Sequence, residues 1–75
     1  MKRLPPKLRD RLIRYRIAKG LVLEDVARRC GVTAATVMRW ESGVVPSARH
    51  LVPYMSVIGL PAKMQEEIIK FAGKK

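Results

Sequence analysis

The chain has 75 residues, 48% of them hydrophobic and 29% charged, with a formal net charge of +10. That length allows one small domain with a limited core, and the balance of apolar and charged residues belongs to a folded chain rather than a disordered one. The single cysteine excludes an intramolecular disulfide, no Cys/His cluster suits zinc, no signal peptide is visible and no apolar run approaches the roughly 20 residues of a membrane span, so a reducing cytoplasm is the expected compartment.

Met1 to Pro6 reads as a basic N-terminal arm carrying Lys2 and Arg3, because Pro5-Pro6 block a helix until about Lys7. Residues 7–19 have a helical period, with Leu8, Leu12 and Tyr15 on one stripe, and Gly20 stops them. Ile13 and Ile17 form a second apolar pair, placed to meet a later helix or a second subunit. The second helix is expected from about Leu23 to Arg29, with Val26, Ala27 and Cys30 inward. Val22 cannot cap it, and Glu24 and Asp25 compensate at the positive end of the helix dipole. Thr33 is a good N-cap for a third helix that runs to about Glu41, where Ser42-Gly43 end it. Pro46-Ser47 open a fourth helix with Leu51, Met55 and Ile58 at helical spacing, and Pro53 is expected to kink it or shift its start. Pro61 begins a fifth, striped by Met64, Ile68, Phe71 and Ala72, and Lys74-Lys75 form a frayed tail. No strand pattern or internal repeat interrupts this all-α reading.

The junction between the second and third helices carries the chemistry. Ala27 lies four positions before Gly31 and Val37 six after it, a spacing that lets two helices cross closely around a tight turn. The charge is uneven: residues 1–30 hold ten Lys/Arg and three acidic residues, residues 31–75 six and three. Such a balance points to a polyanionic partner. No nucleophile–base set, phosphate-cradling glycine loop or pair of carboxylates at catalytic spacing is present, since Glu66 and Glu67 are adjacent and diverge on a helix, so an enzyme is not expected. His50 is alone, without a second ligand, and Cys30 reads as a small buried hydrophobe; no metal or cofactor is expected.

Leu8, Arg11, Leu12, Tyr15, Arg16, Gly20-Leu21, Glu24, Val26-Ala27, Gly31-Val32-Thr33, Trp40-Glu41-Ser42-Gly43, Pro46-Ser47 and Leu51 together resemble the Cro and lambda-repressor type of helix-turn-helix domain, also called XRE-like, over about residues 8 to 60. The resemblance implies a compact lambda-repressor-like bundle of five short helices: an arm over 1–6 and a domain over 7–73, with the helix-turn-helix at about 23–41. It also implies a third helix that enters the major groove of double-stranded DNA and presents Thr33, Ala34, Ala35, Thr36 and Arg39 to the bases. Arg39 can pair bidentately with guanine, Thr36 can bond a base or a phosphate, and the two alanines offer methyl groups. Arg16 and Glu41 match a pair that bridges the first and third helices in related domains, a structural role here, and Trp40 reads as a core anchor.

Two positions depart from that family. Leu23 stands where a polar phosphate clamp is common, and Ser42-Gly43-Val44-Val45 where Asn, Lys or Arg is common. Either the phosphate contacts have moved to Lys2, Arg3, Lys7, Arg28, Arg29 and Arg49, or Leu23, Val44 and Val45 form an apolar patch that binds a protein partner. The first alternative is preferred on charge. The expected protein is a DNA-binding transcriptional regulator of phage, plasmid or bacterial type, more commonly a repressor than an activator, with no small-molecule ligand and no membrane partner. It is expected to bind a pseudo-palindromic operator as a homodimer. The dimer surface is expected at Ile58, Leu60, Ile68 and Phe71, unless the last helix instead packs on the first against Ile13 and Ile17.

Overall fold

The computed structural model describes residues 3–73; Met1-Lys2 of the arm and the Lys74-Lys75 tail lie outside the described residues. Five helices follow one another: α1 Pro6–Ala18, α2 Leu23–Cys30, α3 Ala34–Glu41, α4 Ala48–Val57 and α5 Ala62–Gly73. Pro6 does not delay α1 but opens it, because a first-turn residue has no use for its backbone N–H. Pro53 lies inside α4 without breaking it: its ring is exposed, and the helix runs on to Val57. The predicted start of α4 at Pro46 moves to Ala48, with Ser47 at the N-cap position and Pro46 buried beneath it. At the start of α5 the Gln65 side-chain amide donates to the Leu60 carbonyl at 2.9 Å, and its backbone N–H to the Pro61 carbonyl at 3.0 Å.

The turn between α2 and α3 follows from Gly31, whose φ of +72° lies in the left-handed region that a side chain resists. There the Gly31 N–H donates to the Arg28 carbonyl at 3.3 Å and the Val32 N–H to the Ala27 carbonyl at 2.9 Å. This pair of bonds satisfies carbonyls that the end of a helix leaves free. The two helices then cross tightly through Val26 and Val37, both fully buried, each such side chain contributing about 1.5–3 kcal/mol.

α2 packs on α3 and α4, α1 on α3, and α5 on α4. The core they share contains Leu12 of α1, Val26 and Ala27 of α2, Val37 and Trp40 of α3, Leu51, Tyr54 and Met55 of α4, and Met64 and Ile68 of α5. Leu4 joins it from outside the helices: its N–H donates to the Gly43 carbonyl at 2.8 Å, and Arg3 pairs with Val44 in an isolated antiparallel bridge. Gly43, with φ +112°, is buried under this crossing. The described end of the arm is therefore docked onto the loop after α3.

Candidate nucleic-acid interface

α3 is built from its cap upward. The Thr33 hydroxyl accepts from the Thr36 N–H at 3.3 Å, and the two threonine hydroxyls meet at 3.0 Å. At 3.6 residues per turn, burying Val37 and Trp40 turns Ala35, Met38 and Arg39 outward. Thr36 and Ala34 are half-buried on the flanks, and Ala34 packs against the core. The Arg39 guanidinium is exposed and has no hydrogen bond or ion pair among the described residues. Met38 was not among the expected contacts, yet 58% of it is exposed. Its apolar type suggests core; its position, three after Ala35 and one after Val37, could have placed it outside.

The angle of α3 is held from α1. Arg16 and Glu41 form a two-pronged ion pair: Nε donates to Oε2, and Nη2 to Oε1 at 3.3 Å. The same guanidinium donates through Nη1 to the Leu21 carbonyl at 2.7 Å, so one side chain ties α1, the turn after it and α3 together. Both charges are largely shielded from water, and removing one would leave the other unpaired at a cost of about 3–5 kcal/mol. On the other side, Trp40 packs against Tyr54 with ring centres 4.8 Å apart and against His50 at 5.8 Å. The His50 Nδ1 lies 3.1 Å from the Ser47 hydroxyl. The Tyr54 hydroxyl is buried with no hydrogen-bond partner among the described residues. Burial, reinforced by the Glu41 charge and opposed by Arg16, raises its pKa far above the ordinary tyrosine value. Cys30 is half-buried, and burial pushes its thiol pKa up, away from the reactive thiolate.

The expected phosphate ligands differ in their surroundings. Arg29 and Arg49 are exposed and unpaired among the described residues, whereas Arg28 shares the Asp25 carboxylate at 3.6 Å. That carboxylate also accepts from the Val22 N–H at 3.0 Å, supplying the cap that Val22 itself cannot. Lys7 stands apart. It lies nine residues before Arg16, roughly two and a half turns, so it faces away from the side of α1 that meets α3. It lines an open basin of about 170 Å³ with Asp10, Arg11 and Arg14. Arg3, by contrast, is brought to the end of α3: its Nη1 donates to the Ser42 carbonyl at 3.3 Å. Arg9, which sequence reasoning missed, donates to the same oxygen at 3.4 Å. Nothing in the sequence pairs residues 3 and 9 with residue 42; only the docked arm does. Lys2 lies outside the described residues.

The apolar patch is not an open surface. Leu23 and Val45 are half-buried and pack on the core. Val44 is half-buried, and its N–H closes the end of α3 on the Arg39 carbonyl at 3.1 Å. The residues expected at a dimer surface are also covered to different degrees within the single chain. Ile58, Leu60 and Ile68 are buried within the single chain because α5 folds back onto α4, and Phe71 is half-buried. Of the Ile13–Ile17 pair, Ile13 is half-buried and Ile17 exposed. Among the described residues no three metal-binding side chains cluster, and no helix is long and apolar enough to cross a membrane.

No curated protein and no solved structure matches the chain. A family model described as a helix-turn-helix domain matches residues 7–68, from the second residue of α1 to the buried Ile68 of α5. With five helices, a glycine turn between α2 and α3, and a match over most of its length, the chain belongs to the helix-turn-helix domain family.

Proposed function

We propose that this protein is a sequence-specific, double-stranded-DNA-binding transcriptional regulator of the Cro and lambda-repressor type, most simply a repressor. α3 lies in the major groove and Arg39 reads a guanine. Thr33, Ala35 and Thr36 complete the base-facing turn. Arg29, Arg49 and the pair Arg3 and Arg9 at the end of α3 take the phosphates. The observation that carries this reading is the unpaired guanidinium of Arg39 on the outward face of a short helix whose angle is locked by Arg16 and Glu41. A charge of +10 supplies the sequence-independent attraction. Binding as a homodimer on an inverted repeat follows from the small surface one α3 offers, since two half-sites a helical turn apart combine their binding energies.

The test is selection of bound duplexes from a random pool at fixed salt. The expected product is an inverted repeat with a guanine in each half-site. Arg39→Ala should cost about 1–3 kcal/mol on that site and lose the preference at that guanine. A pool that enriches no sequence would overturn the reading and favour a protein partner seated on the exposed Met38.

A further inference from the structure

The outward face of α3 restricts which bases it can read. Ala35, Met38 and Arg39 are its exposed side chains, and only Arg39 carries a free hydrogen-bonding group. The Thr33 and Thr36 hydroxyls are turned on each other, and the Glu41 carboxylate is held by Arg16. In the major groove adenine is read in both hydrogen bonds by Asn or Gln, and cytosine by an acidic acceptor. No such group is on this face. What it offers besides one guanidinium is the methyl of Ala35 and the flexible thioether of Met38. An exposed methionine moulds itself to an apolar partner, and the apolar group on the floor of the major groove is the C5 methyl of thymine.

We infer that α3 recognises a thymine-rich half-site through thymine C5 methyl groups packed against Ala35 and Met38, beside the one guanine taken by Arg39. This rests on the DNA-binding reading above and specifies its substrate. Methyl contact distinguishes T·A from C·G, because cytosine carries no methyl there, and it fixes which strand bears the thymine.

The experiment replaces the thymines of the selected site one at a time by deoxyuridine, which deletes the C5 methyl and leaves every hydrogen-bonding group in place. Dissociation constants are measured for the unmodified and substituted duplexes with the intact chain. Affinity should fall about fourfold for each methyl covered, at two or more thymines next to the guanine whose contact Arg39→Ala removes. Met38→Ala and Ala35→Ser, both at exposed positions, should each abolish the sensitivity at one thymine and leave the others intact. A specific site whose affinity is unchanged by every uracil overturns this inference while the DNA-binding reading stands. A pool without any enriched site overturns both.

Discussion

Arg39 and Glu41, two residues apart on α3, have opposite environments. Glu41 is enclosed with Arg16 and spends its charge on geometry, whereas Arg39 keeps its charge in water, where a partner can take it. The difference arises because two residues advance roughly 200° around a helix. Tyr54 offers a third case. Its ring is wanted: it fills the core and packs on Trp40. Its hydroxyl is not bonded, and an unsatisfied buried polar group costs about 1–3 kcal/mol. Tyr54→Phe should therefore leave the midpoint of urea unfolding unchanged or raise it, by up to about 1 kcal/mol in stability. A clear loss of stability would show that the hydroxyl has a partner in solution.

At the scale of elements, one device recurs. Gly20-Leu21, Gly31-Val32, Gly43-Val44 and Gly59-Leu60 each follow a helix. In each, the apolar residue's N–H returns to a carbonyl five residues back: Arg16, Ala27, Arg39 and Met55. The apolar side chain after the glycine enters the core at Leu21 and Leu60 and packs against it at Val32. At Val44 this bond closes the end of α3. Beside it the arm places Arg3, whose guanidinium, with that of Arg9, reaches the Ser42 carbonyl. Cations at a helix C-terminus are favoured by its dipole; Arg9 Nε also lies 3.9 Å from the Asp10 carboxylate, and on the proposed reading the remaining N–H groups take phosphate. Arg3→Ala combined with Arg9→Ala should weaken binding on all sequences alike and lower the slope of log affinity against log salt by about two. An unchanged slope would confine both residues to capping α3.

Among the described residues, the large exposed apolar side chains are Ile17, Val22, Met38, Val52 and Ile69. Each comes from a different element, four helices and one loop, so no helix presents a second apolar stripe to a partner. A stable dimer interface buries about 800 Å² per partner around an apolar centre, and this arrangement does not supply one. A net charge of +10 also repels a second copy. The free protein should sediment as a monomer of 8.5 kDa at micromolar concentration and low salt, and pair only on DNA whose two half-sites align it. A dimer in the absence of DNA would overturn this expectation.

Five helices, their glycine stops, the turn at Gly31 and the inward faces of α1 to α3 are legible in the amino-acid order alone, because these depend on local backbone preference and on a period of 3.6 residues. That order also brought Arg39 to notice, since a guanidinium at that point of a third helix can read a guanine edge. The tertiary structure decided what depends on elements remote in sequence. The fold of α5 onto α4 buried Ile58, Leu60 and Ile68, because an apolar stripe does not reveal which surface covers it. The docking of Leu4 against Gly43 turned the end of the arm into part of the fold and gathered Arg3 and Arg9 at the end of α3. The packing of α3 left Met38 outside, although its chemistry suits the core, because residues 37 and 40 had already filled the inward positions.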